Sequence, residues 1–236
     1  MNTSQIITMM QQITGQARIV ELSYTLEEKM PVWPTHARFG ALVYESYEDG
    51  AVSMHRQIVF GEHTGTHIDA PKHFFAQGQT EDQLDVHTVM GRGVKIDASF
   101  LPPCGVYTLP MLQQFEQEHG PVQQGDVVML RFGWEDKYGL GAAGADFLQD
   151  WPGLGADAAR YLLDKKVACV GTDALALDVF GSADYPCHQI LLGNGVPILE
   201  NLMNLKQLPD FSYVIGLANK IKGGSGSPIR VIALVE

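Results

Sequence analysis

Cysteine is scarce in this 236-residue chain. Only Cys104, Cys169 and Cys187 occur, widely scattered and with no Cys-x-x-Cys pair. Three such thiols cannot build a disulfide framework, and a reducing, cytoplasmic compartment fits them best. Positive charge is also thin: 16 Lys and Arg stand against 27 Asp and Glu, for a formal net charge of −11. That balance supplies no basic face for phosphates or anionic lipid, so neither nucleic acid nor a membrane is an expected partner. No apolar run approaches the roughly 18 residues a membrane span requires. The N-terminus carries no basic-then-apolar signal pattern. Internal repeats and low-complexity linkers are missing as well.

What is present is ordinary for a compact protein, with 45% apolar and 18% charged residues. A chain of this length buries roughly three-quarters of its unfolded surface, so its core needs no staple. Residues Ser4–Thr14 place Ile6, Ile7, Met10 and Ile13 at helical spacing, with Ser4 as cap and Gly15 as stop. This stripe must pack on something, and a second subunit is one candidate. Strands are expected at Arg18–Leu22, Ala41–Tyr47 and His55–Phe60, the last two joined by the Glu48-Asp49-Gly50 turn. A structured loop is expected from His63, marked by Gly65, Pro71 and Gly78.

Further on, the pattern predicts strands at Val94–Ala98, Asp126–Phe132, Ala168–Gly171, Phe211–Ala218 and Ile229–Val235, with helices at Pro110–His119 and Gly155–Lys165. Hairpins and strand–helix–strand units both occur. The expected fold class is therefore α/β, one domain with a mixed, barrel-like sheet flanked by helices. The run Gly223-Gly224-Ser225-Gly226-Ser227-Pro228 leads into a strand and not a helix, so it reads as a hairpin connection near the site and not as a phosphate cradle.

The chemistry concentrates in Glu62-His63-Thr64-Gly65-Thr66-His67-Ile68-Asp69-Ala70-Pro71-Lys72-His73, which holds three of the eight histidines and a carboxylate. Two threonines, a glycine and a proline argue against a helix here, and a tight loop can turn several side chains toward one point. Imidazole with carboxylate is a ligand set for zinc, manganese or iron more than for calcium or magnesium. Isolated histidines in loops usually have no ligand role, but this density is hard to obtain by chance.

The run His-x-Gly-Thr-His-x-Asp-x-Pro-x-His, from His63 to His73, resembles the signature of the cyclase family of metal hydrolases. Bacterial kynurenine formamidases and isatin hydrolases belong to that family. The likeness extends from about Arg18 to the C-terminus, leaving residues 1–17 as a helical extension and 18–236 as the hydrolase domain. Trp33, His188 and Glu200 support it at a distance. The resemblance implies a first metal held by His63, His67 and Asp69. It implies a second, bridged by Asp69 and completed by His188 and Glu200, with Glu200 also touching the first. The ions would be two zincs, or manganese. It further implies His73 as the catalytic histidine, Trp33 as a residue packing on an aromatic or planar small-molecule substrate, and a homodimer. Ala176 stands where the family often has serine, and Asp173 and Asp178 are either supports of the ligands or local caps.

Such a site would hydrolyse a small amide through metal-activated water, with His73 moving the proton to the leaving nitrogen. Glu200 favours an aryl formamide such as N-formylkynurenine, while cyclic amides and lactones are the neighbouring alternative. A non-haem iron oxygenase would use His67, Asp69 and His188 but leave His63, His73 and Glu200 idle, would be an all-β jelly roll, and would want an anchoring arginine sooner than Arg230. A metal-binding protein without catalysis is the third reading. A Cys187–His188 nucleophilic pair is not expected, because sequence neighbours rarely point at each other.

Overall fold

The computed structural model describes all 236 residues. It opens with α1 (Thr3–Gln16), capped by Asn2 and not by Ser4: the Asn2 side chain accepts the Gln5 N–H, and Gln5 reaches back to the Asn2 backbone. Gly15 lies inside this helix and does not stop it. After β1 (Arg18–Glu21) and an irregular stretch containing Trp33, β2 (Gly40–Glu45) and β3 (His55–Val59) form a separate hairpin. The short strand β4 (His67–Asp69) follows, then β5 (Met90–Asp97), β6 (Val106–Tyr107) and α2 (Leu109–His119). Next come β7 (Val127–Arg131), β8 (Gly153–Leu154), α3 (Ala156–Asp164), β9 (Cys169–Thr172) and α4 (Pro186–Gly193). The chain closes with β10 (Ile198–Glu200), β11 (Phe211–Ala218) and β12 (Gly226–Val235).

The main sheet runs β1-β12-β11-β5-β7-β9-β10-β4, and β4 also pairs with β12. That last pairing closes seven strands into a barrel, with β1 appended outside the ring. The sheet is mixed: β5, β7, β9 and β10 are parallel neighbours, whereas β4, β11, β12 and β1 pair antiparallel. The fold is an α/β single domain of the class the sequence implies.

Strand alternation sorts the apolar residues into two layers. Val127, Met129, Cys169, Leu199, Val214, Val231 and Ala233 fill the barrel interior. Their neighbours Val128, Leu130, Val170 and Ile198 face outward, against Leu112 and Phe115 of α2, Ala158 and Leu162 of α3, and Leu191 of α4. Leu162 is fully buried, and truncating such a leucine to alanine typically costs about 2–5 kcal/mol.

Two further sequence expectations need correction. The segment expected to be a loop from His63 contains β4, because its backbone is paired on both sides, by β10 and β12. The glycine-rich run is only partly a connection, since Gly226, Ser227 and Pro228 already pair with Asp69, Ile68 and His67 as the first residues of β12.

Candidate active site

β4 does for the site what a loop was expected to do. Alternation sends Ile68 into the barrel and His67 and Asp69 to the opposite, outward face. Across the antiparallel pairing Glu200 sits opposite His67, so the two share that face. Gly65, at φ +64°, makes the turn into β4, and a Cβ there would meet the Met30 side chain at 2.8 Å. α4 supplies His188 from above, and Asp178 fixes it: one carboxylate accepts the N–H of Cys187 at 2.8 Å, the N–H of His188 at 3.1 Å and His188 Nδ1 at 2.6 Å.

The five side chains expected to bind metal converge as two groups that share Asp69: His63, His67 and Asp69, then Asp69, His188 and Glu200. Asp69 Oδ1 lies 2.6 Å from His63 Nδ1 and 3.3 Å from His67 Nε2, and Oδ2 lies 3.4 Å from His188 Nε2. Glu200 reaches His188 Nε2 at 3.2 Å and His67 Nε2 at 3.4 Å, and its Oε1 accepts the Leu177 N–H. His67 Nδ1 donates to the Gly65 carbonyl at 2.8 Å, which leaves its Nε2 free for this cluster.

Charge shows what the cluster lacks. Asp69 and Glu200 are almost completely buried, their only ion-pair partners are histidines, and Asp69 Oδ2 has no hydrogen bond. Buried carboxylates need cationic partners. Burial opposes charging of His67, yet the Asp69 and Glu200 carboxylates outweigh it and pull its pKa up to about 10. His188 is driven the same way by Asp178, Asp69 and Glu200, again against burial. Burial works to raise Asp69, but the neighbouring imidazoles hold it well below the usual carboxylate range. The two carboxylates thus favour positive charge at this point, the charge a divalent cation would bring. The donor set and the orphaned Asp69 oxygen both fit such an ion.

His73 and Trp33 border the same cavity. It has a volume of about 230 Å³, and its walls include Trp33, His36, Phe74, Leu175, Ala176 and Tyr185 above the ligand cluster. The His73 ring lies against His63, 4.0 Å between centroids and tilted by 33°. Burial lowers the His73 pKa to about 4. Trp33 packs edge-on against Trp151 and Tyr185. His36, Phe74 and Tyr185 were not singled out by the sequence. Phe74 stacks on His188 at 4.8 Å. Signals were available: His36 follows Trp33 by three residues, and Tyr185, at φ +46°, directly precedes the Pro186-Cys187-His188 helix start.

Asp178 both orients His188 and caps α4. Asp173 does neither: its oxygens accept the N–H groups of Phe132 and Glu135, tying down the segment after β7. Cys187 Sγ turns away to the Leu154 carbonyl, so it forms no pair with His188.

The cyclase family profile matches residues 20–179. The chain belongs to the cyclase family. Among curated members, the isatin hydrolase of Roseibium aggregatum is 31% identical, over 94% of this chain and 94% of its own. The kynurenine formamidase of Bacillus cereus is 29% identical, over 90% of this chain and 95% of its own. Isatin hydrolase A from Ralstonia solanacearum superposes with a TM-score of 0.90 at 29% identity, covering 100% of this chain and 98% of that structure. With such relatives throughout its length, this cyclase-family chain is a hydrolase.

Proposed function

We propose that the chain is a metal-dependent hydrolase that opens a small, planar, uncharged aromatic amide, with isatin-type cyclic amides as the substrate class. The observation that carries the metal-dependent part is Asp69, shared by two histidine–carboxylate groups at the floor of an aromatic pocket. In this reading His63, His67 and Asp69 hold one divalent ion and Asp69, His188 and Glu200 a second, with zinc or manganese suiting the donors. A bound dication supplies Lewis acidity at the carbonyl and makes water ionise near neutral pH.

The chain's own residues do the rest. His73, kept neutral by burial, accepts the proton of the attacking water. The water oxygen bonds to the carbonyl carbon, the C–N bond breaks, and His73 returns the proton to the leaving nitrogen. Trp33, Phe74 and Tyr185 provide flat surfaces that orient a planar ring and exclude water from it.

The lining also bears on the choice of amide. It contains no lysine or arginine, which suits a substrate without a carboxylate more than N-formylkynurenine, whose amino-acid end is charged. The formamide remains a second reading, supported by Glu200, which completes the second group of ligands. Metal-loaded protein offered isatin and N-formylkynurenine separately should give the higher kcat/KM with isatin. The reverse order would favour the formamide, and turnover of neither would overturn the substrate class.

We further propose that residues 1–17 act as an arm in a homodimer. No residue of α1 is buried, and Ile6, Ile7, Met10 and Ile13 lie on it half-exposed. The β2–β3 hairpin likewise exposes Leu42, Val43, Tyr44 and Ile58.

A further inference from the structure

The metal chemistry above leaves the glycine-rich run Gly223–Pro228 without a role. Ser225, the residue before β12, has its hydroxyl 2.6 Å from Glu62 Oε2, and its backbone N–H donates to the same oxygen at 3.0 Å. His63 Nε2 lies 2.9 Å from Ser225 Oγ. A serine hydroxyl carries a single proton. With a carboxylate beside it, that proton goes to Glu62, so the contact with the imidazole must run the other way, Nε2–H donating to Oγ. The Nδ1 that faces Asp69 Oδ1 at 2.6 Å is then the nitrogen whose lone pair becomes available when a cation takes the place of the proton shared in that contact.

This orientation is the reverse of that in the other two histidines of the cluster. His67 donates from Nδ1 to the Gly65 carbonyl, and His188 Nδ1 is held by Asp178, so both present Nε2. His63 alone presents Nδ1, and its far nitrogen has an acceptor of its own. The wall behind it is shaped for this: a Cβ on Gly226 would meet His63 Cε1 at 2.7 Å, and one on Gly224 would lie 3.3 Å from Glu62 Oε1.

We propose that Glu62 and Ser225 are positioning residues, a carboxylate–hydroxyl relay that fixes the tautomer and ring orientation in which His63 offers Nδ1 to a metal ion. Gly226 keeps open the space the ring needs. The inference rests on the reading of His63 as a metal ligand. Partners of this kind typically contribute 10–100-fold to metal affinity.

The test measures zinc affinity of the chelator-stripped chain by competition with a chromophoric chelator, beside thermal melting of each metal-free protein. Ser225→Ala and Glu62→Gln should each weaken zinc binding by roughly 10–100-fold, with the metal-free melting temperature unchanged. Ser225→Thr, which keeps the hydroxyl, should restore affinity. In the zinc-loaded parent, nitrogen NMR should show His63 protonated at Nε2. Variants that bind zinc as tightly as a zinc-binding parent would overturn the relay alone, and so would a loss that tracks melting temperature or that Ser225→Thr leaves uncorrected. A parent chain that binds no zinc would instead remove the ligand reading beneath it.

Discussion

His188 Nδ1 lies 2.6 Å from Asp178 Oδ2, and the same carboxylate receives the two backbone N–H groups that open α4. One side chain therefore starts a helix and aims an imidazole from it. An amide in place of the acid would keep the volume, turn an N–H₂ toward at least one donor and weaken the hold on the Nδ1 proton. Asp178→Asn should lower metal affinity by roughly 10–100-fold and destabilise the metal-free fold by about 1–3 kcal/mol. Competition titration and thermal melting check the two effects separately.

His73 touches His63 but belongs to neither ligand group. His73→Ala should reduce kcat by roughly 10²–10⁴-fold while metal stoichiometry stays that of the parent. A base works only while unprotonated, so the rate that depends on His73 is lost as pH falls through its folded value. Burial puts that value at about 4, below the ordinary 6.5, and a nearby cation would push it further down. With metal held saturating, an acid limb of kcat/KM near neutral pH belongs to the ionising metal-bound water and should persist in the residual activity of His73→Ala. A limb near pH 6.5 that disappears in His73→Ala would contradict this environment for His73.

Trp33 offers an indole face at the pocket wall and packs against Trp151. Aromatic contacts of this type contribute about 0.5–1.5 kcal/mol beyond burial. Trp33→Ala should therefore raise KM for an aromatic amide by roughly 2–10-fold, with a smaller effect on kcat. Steady-state kinetics with aromatic and aliphatic amides would separate stacking from general loosening of the pocket.

The exposed stripe on α1 makes a prediction about assembly. Light scattering should give the mass of a dimer for the full chain. Removal of residues 1–17 should weaken that dimer, because the arm contributes apolar surface the monomer leaves open. A full-length monomer at micromolar concentration would contradict it.

The parts of the fold legible from sequence were those with a pattern of their own. β11 spans Phe211–Ala218, as its apolar run implies, and α2 and α3 follow their helical spacing within a residue or two. β4 and β10 were missed because each has only three residues and owes its strand character to its neighbours. α4 was missed because it spans eight residues, begins with Pro186 and has no side-chain cap of its own residue. The spacing from His63 to His73 announced a metal-type cluster, but side-chain direction was hidden. Nothing in the order of residues says that His63 turns Nδ1 inward, that Ser225 arrives behind it from 162 positions away, or that Phe74 and Tyr185 close the pocket.

The most direct test of the account is metal dependence itself. Chelator-stripped protein should hydrolyse isatin no faster than buffer, and activity should return in proportion to added zinc or manganese until the cluster around Asp69 is filled. Full activity in protein shown by elemental analysis to be free of metal would contradict the account.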